Sequence, residues 1–97
     1  MTPPFSVSSA PHFERLFRKL LRGHSDLWDI RDSVEEILNT DPYNRTKRYH
    51  IKKLEGVSQG DGRYRLALGR FRFRYDIYGR EAVLQRCGLR REDTYRR

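Results

Sequence analysis

Cysteine occurs once in the 97 residues, at Cys87, which excludes an intrachain disulfide and any multi-cysteine zinc site. Histidine is almost as scarce, and His12, His24 and His50 are too scattered for metal-ligand spacing. No apolar run approaches the ~20 residues of a membrane span. The first eleven residues carry neither side-chain charge nor a long apolar stretch, so they do not read as a secretory signal, and a cytoplasmic location is expected. There is no Walker loop, no nucleophile elbow and no close carboxylate pair in an apolar setting. Metal-dependent and acyl-transfer chemistry find no support, and no cofactor or metal is expected.

Acidic residues are short in one part only. Residues 1–40 hold 5 Lys/Arg against 6 Asp/Glu, whereas residues 41–97 hold 16 against 7, so the whole excess of the +8 net charge lies in the second part. Charge serving solubility alone would be spread over both. Its concentration marks a face that binds a polyanion. Apolar residues at 36% and charged residues at 35% suit one folded domain spanning 1–97, with a modest core and a charged surface.

What is present is patterned. Phe5 and Val7 alternate with polar neighbours as a short strand. Ser8 or Ser9 can cap the helix that follows, with Pro11 in its first turn. Phe13, Leu16, Phe17, Leu20 and Leu21 recur at helical spacing, and Gly23 supplies a stop. A second helix is expected from near Ser25, with Leu27, Ile30, Val34, Ile37 and Leu38 as its stripe and Asn39-Thr40-Asp41-Pro42 as its end. A basic, turn-prone stretch leads to a strand around Tyr49 to Leu54, then a loop with three glycines.

Between Arg63 and Ile77 the parity of the alternation flips at Gly69-Arg70. A two-residue hairpin turn there places Leu68 opposite Phe71, Leu66 opposite Phe73 and Tyr64 opposite Tyr75 on one side. The other side then holds Ala67 opposite Arg72, Arg65 opposite Arg74 and Arg63 opposite Asp76. A second turn at Gly79-Arg80 leads into a strand from Ala82 to Cys87 whose register the pattern leaves open, and residues 88–97 read as a loop or frayed end. The expected fold is α+β: an N-terminal strand and a two-helix hairpin packed on one side of a small, mainly antiparallel β-sheet. Its core is expected to join Phe13, Leu16, Leu20, Val34, Ile37, Leu66, Phe71, Phe73 and Tyr75.

An arginine directly opposite an arginine across a ladder costs stability. The pair makes sense where a phosphate or carboxylate sits between, because guanidinium binds phosphate oxygens bidentately. A solvated face with splayed side chains is the bland alternative, and it weakens as Arg63, Arg70, Arg72, Arg86, Arg90 and Arg91 join the same region. Tyr95, in the charged tail Arg90-Arg91-Glu92-Asp93-Thr94-Tyr95-Arg96-Arg97, has no apolar stripe to join. It suits base stacking or proton transfer, with a chance exposed tyrosine as the alternative.

The order strand, helix hairpin, antiparallel sheet resembles the RelE/ParE toxin superfamily along nearly the whole chain. The residues that carry the resemblance are Lys53-Leu54-Glu55-Gly56, the run Gly62 to Ile77, and the ending Gly88-Leu89-Arg90-Arg91-Glu92-Asp93-Thr94-Tyr95-Arg96. The resemblance implies a toxin that cuts messenger RNA in the ribosomal A site without metal, the ribose 2′-hydroxyl attacking the adjacent phosphate. It implies a cognate acidic antitoxin as partner and no membrane. By position, Arg65 matches a family lysine, Arg72 an arginine, Arg90 or Arg91 the C-terminal arginine, and Tyr95 the late tyrosine; these are the expected catalytic residues. Lys52, Lys53, Arg63 and Arg74 are expected to bind RNA. Two departures matter. Ala67 stands where RelE has a second lysine, and Arg65 holds its proton too tightly to act as a base. Proton abstraction would fall to Tyr95, Lys52, Lys53 or His50. A gyrase inhibitor of the ParE type shares the fold and is the alternative, and an inactive nucleic-acid-binding module is a third reading.

Overall fold

The computed structural model describes residues 4–90. In chain order the elements are β1 (Ser6–Ser9), α1 (Pro11–Leu21), α2 (Leu27–Thr40), β2 (His50–Lys53), β3 (Tyr64–Leu68), β4 (Phe71–Tyr78) and β5 (Glu81–Leu89). They build the expected α+β architecture, a five-stranded sheet in the order β1-β5-β4-β3-β2. β1 runs parallel to β5, and the other pairs are antiparallel.

The hairpin register is the expected one: Tyr64, Leu66 and Leu68 face Tyr75, Phe73 and Phe71, while Arg65 and Ala67 face Arg74 and Arg72. Gly69 and Gly79 open the two-residue turns with φ of 61° and 60°, backbone that glycine adopts without penalty. Phe73, Tyr75, Leu66, Phe71 and Leu84 from the sheet pack with Phe13, Phe17, Leu27, Val34, Ile37 and Leu38 from the helices in one buried cluster. Both helices therefore lie on one face of the sheet. Tyr75 is buried with its hydroxyl satisfied, donating 2.6 Å to the Pro42 carbonyl, and burial pushes its pKa up.

Several local expectations are corrected. Neither Ser8 nor Ser9 caps α1. Ala10 holds the cap position without a side-chain bond, and the Ser9 hydroxyl goes instead to Glu14. Leu16 is only half-buried and Leu20 packs at the margin, because Phe17 takes the central position on α1. α2 starts at Leu27, two residues after Ser25, and β2 is four residues long. β5 runs on to Leu89, so Gly88 and Leu89 belong to the sheet rather than to a frayed end.

An ion pair ties the helices together. Arg31 donates to both Glu14 oxygens at 2.9 and 2.6 Å and to Glu35 at 3.2 Å, with its guanidinium 4.6 Å from the Phe17 ring centre. The hydrogen bond from Arg31 holds the Glu14 carboxyl down at about 2.

Candidate nucleic-acid interface

Because side chains alternate along a strand, the residues that do not face the helices share the opposite face of the sheet. There the pairing lines up Lys52 with Arg65, Arg65 with Arg74, and Arg74 with Arg86. Four cations thus form one row across β2, β3, β4 and β5. At ordinary strand spacing the row is roughly 15 Å long. The next row holds His50, Ala67, Arg72 and Gly88. Arg72 stands between two residues with almost no side chain.

The contribution from β5 depends on an irregularity. Arg74 pairs with Arg86 but Tyr75 pairs with Leu84, which leaves Gln85 as an extra residue. This bulge reverses the parity of the strand: Ala82 and Leu84 face the helices before it, and Cys87 and Leu89 face them after it. Without it Arg86 would point into the core.

At one end of this face the loop before β3 folds over the sheet. Asp76 is completely buried beneath it and accepts backbone N–H groups from Gly60 (2.9 Å), Gly62 (3.0 Å) and Arg63 (2.9 Å). Arg63 and Asp76 do meet, as expected, but through the Arg63 backbone. Gly62, at φ 86°, lies so close to β4 that an added Cβ would sit 2.7 Å from the Arg74 Cβ. Its carbonyl accepts from Arg74 Nε at 3.0 Å. The buried carboxylate thereby fixes a loop, and the loop aims one arginine of the row. Sequence reasoning had placed Asp76 on this face but had not seen it as the loop's anchor. The signal was there: an acid inside an arginine run, opposite a stretch with Gly60 and Gly62.

At the other end, Tyr49, His50, Ile51, Lys52, Arg65 and Ala67 line an open groove of about 370 Å³ along β2. Asn44 braces it. Its side chain donates to the Tyr49 carbonyl at 2.8 Å and accepts the Tyr49 N–H at 3.1 Å. Asp41 organises the preceding turn, accepting the N–H groups of Arg45 and Thr46 and the Thr46 hydroxyl. Burial would raise its pKa, but these bonds hold it below the ordinary value.

Of the expected site residues, Lys52, Arg65, Arg72 and Arg74 are brought onto one face. Arg72 donates to the carbonyls of Gly69 and Phe71, at 3.2 and 3.0 Å, and so is held along its own strand. Lys53 is not with them. It pairs with Tyr64, on the helix side, so the open face takes Lys52 alone. Arg90 follows β5, anchored by its N–H to the Arg70 carbonyl at 2.8 Å. Arg91 and Tyr95 lie outside the described residues. Arg86, which completes the row, was noted in the sequence only as a neighbour. Among the described residues no carboxylate forms an ion pair with Lys52, Arg65 or Arg86, whereas Arg31 pairs with Glu14 and Glu35, and Arg70 with Asp26. No cluster of metal-ligating side chains occurs among them either, and no helix among them is long and apolar enough to cross a membrane.

No protein-family model matches the chain, and no curated protein sequence does. Two solved structures do. One is the archaeal RelE–RelB complex from Pyrococcus horikoshii, 23% identical, with a TM-score of 0.59 over 90% of this chain and 96% of that one. The other is the RelB–RelE antitoxin–toxin complex from Methanococcus jannaschii, 20% identical, with a TM-score of 0.60 over 91% and 98%. At these identities the likeness is one of fold, and the fold is RelE-like.

Proposed function

We propose that this protein is the toxin of a toxin–antitoxin pair and acts as a metal-independent endoribonuclease on messenger RNA in the ribosomal A site, arresting translation. The observation that carries the reading is the cation row Lys52–Arg65–Arg74–Arg86, with Arg72 beside it on the same face. Like charges paired across a ladder cost stability, and Lys52, Arg65 and Arg86 of this row have no carboxylate ion-pair partner among the described residues, so a polyanion suits the surface. RNA phosphates are the polyanion that the RelE-like fold and the loose C-terminal motif both favour.

In the proposed reaction the ribose 2′-oxygen loses its proton and bonds to the neighbouring phosphorus. The bond from phosphorus to the 5′-oxygen breaks, leaving a 2′,3′-cyclic phosphate and a 5′-hydroxyl that takes up a proton. Arg65 and Arg72 stabilise the extra negative charge that builds on the phosphorane. Arg90 or Arg91, together with Tyr95, are the further residues that the C-terminal motif assigns to this reaction. Arginine cannot be the base. Of the candidates, His50 and Lys52 share the face with Arg65, and Lys53 does not. An acidic antitoxin segment covers the same face when the toxin is silent, and its affinity falls with salt.

One observation favours gyrase inhibition instead: Ala67 stands in the row where the nuclease pattern has a second lysine. A translation reaction free of gyrase separates the readings. Nuclease action predicts messenger cut at the ribosome, with the cut lost in Arg72→Ala. Intact messenger together with blocked supercoiling by gyrase would replace the nuclease reading. Tyr95→Phe keeps the ring and removes the hydroxyl. Cleavage lost in this variant assigns proton transfer, whereas cleavage kept in Phe but lost in Ala assigns stacking.

A further inference from the structure

The outer surface of the helix layer, on the far side of the core from the cation row, carries a charge pattern of its own. Phe13 and Phe17 turn one side of α1 to the core, so Arg15, Arg18, Lys19 and Arg22 fall on the outer side at spacings of three and four residues. Leu27, Val34 and Leu38 do the same for α2, which leaves Asp29, Asp32 and Glu36 outermost at the same spacings. All seven are exposed, and among the described residues none of them forms an ion pair. One helix thus presents a basic stripe and its neighbour an acidic one. Between them lies Trp28, 55% exposed, with its ring centre 5.1 Å from that of Phe17 on α1.

We propose that this helix face docks a second copy of the chain, the basic stripe of each protomer lying on the acidic stripe of the other and the two Trp28 rings meeting between them. The docking stands apart from the nuclease reading, because the cation row lies on the opposite face of the sheet and stays open.

Charge selects both the face and the arrangement. Residues 1–40 hold 5 Lys/Arg and 6 Asp/Glu, a net −1, whereas residues 41–97 hold 16 and 7, a net +9. The helix layer is therefore where two copies of a +8 protein approach with the least repulsion. The helices run antiparallel, since Glu14 meets Arg31 and Phe17 meets Trp28. A two-fold axis across the helices would set like stripes together. A two-fold axis along the seam sets α1 of one copy on α2 of the other. It brings Arg15 and Arg18 level with Asp32 and Asp29 of the second copy, and each Trp28 level with its counterpart. Helices of 11 and 14 residues are ~16 and ~21 Å long and side by side ~20 Å wide, a footprint of roughly 400 Å². That is about half of the ~800 Å² per partner of a standard interface, so a Kd on the order of tens of micromolar is expected.

Sedimentation of the full chain over a series from micromolar to millimolar, at low and at high salt, tests the proposal. The expected result is a concentration-dependent dimer at low salt whose Kd rises about tenfold at high salt, as screened charge pairing requires. Trp28 emission moves to shorter wavelength as the dimer forms, because the ring leaves water. Arg15→Glu with Arg18→Glu gives a face with two acidic stripes, and Asp29→Lys with Asp32→Lys gives one with two basic stripes. Each double variant alone is monomeric. Mixed one to one they associate, a rescue that separates a lost contact from a lost fold. A chain that stays monomeric across the series overturns the proposal, as does a dimer indifferent to salt or a mixture of the two folded variants that stays monomeric. So does a Trp28 shift that appears only when the antitoxin is added, since the face would then belong to that protein.

Discussion

The two faces of the sheet are made by the same strands and obey opposite rules. On the helix side, Leu66, Phe71, Phe73 and Tyr75 are buried and every contact favours folding. One residue along in each case, Arg65 and Arg74 stand on the open side in a row of like charge, with Arg72 in the row beside it. Alternation along a strand lets one segment build a core and a strained charged surface without either disturbing the other. Stability and activity should therefore be separable by residue parity, and substitutions can break or sharpen that separation.

The largest effect is expected at the centre of the core. Phe73→Ala should cost ~3–5 kcal/mol through lost burial and the cavity left behind. The single tryptophan, Trp28, contacts the Phe17 ring at 5.1 Å, so its fluorescence reports the unfolding. A loss below ~1 kcal/mol would mean that the helices do not rest on this face.

Next comes a case that deliberately crosses the division. Asp76 is on the open side but buried, and Asp76→Asn replaces one acceptor oxygen with a donor facing backbone N–H groups. A cost of ~2–3 kcal/mol is expected from denaturant midpoints, from donors left without a full set of acceptors. Unchanged stability would show that the loop over Gly60 to Arg63 is held by something else.

The helix-side ion pair gives a smaller, pH-dependent effect. Glu14 titrates near 2 in the folded protein and at an ordinary carboxylate value when unfolded, so its contribution is present above ~4.5 and fades as pH falls toward 2. Glu14→Gln should cost about 1 kcal/mol at neutral pH, with solvent limiting a pair whose carboxylate is a third exposed. The two proteins should converge near pH 2. A constant gap across that range would mean that the charge is irrelevant.

Much of this division was legible in the sequence. The parity flip at Gly69-Arg70 was enough to pair five residues correctly on each side of the turn, because a two-residue hairpin leaves no freedom in register. The strand from Ala82 to Cys87 was legible as a strand, but the register of β5 was not. An extra residue at Gln85 reverses the alternation, and no local pattern distinguishes a bulge from a strand that simply ends. For the same reason Arg86 was not placed in the row. Lys53 was misgrouped with Lys52, because two adjacent lysines look alike until a strand separates them by face. The cap at Ala10 was missed since the Ser9 hydroxyl goes to the Glu14 side chain, five residues on, instead of to a backbone N–H of α1. The groove between β2 and β3 had no signature in the sequence.

The smallest stability effect is the one that tests the account most directly. Arg65 faces Lys52 on one side and Arg74 on the other, so Arg65→Ala should relieve repulsion and leave the fold unchanged or about 0.5 kcal/mol more stable. The same substitution should slow messenger cleavage at the ribosome by on the order of a hundredfold or more, the usual loss when a charge donor at a developing oxyanion is removed. Denaturant midpoint and cleavage rate measured side by side on this one variant decide the matter. Cleavage lost with stability kept or raised is the predicted result; cleavage kept, or lost only in step with unfolding, would contradict the assignment of the open face to RNA chemistry.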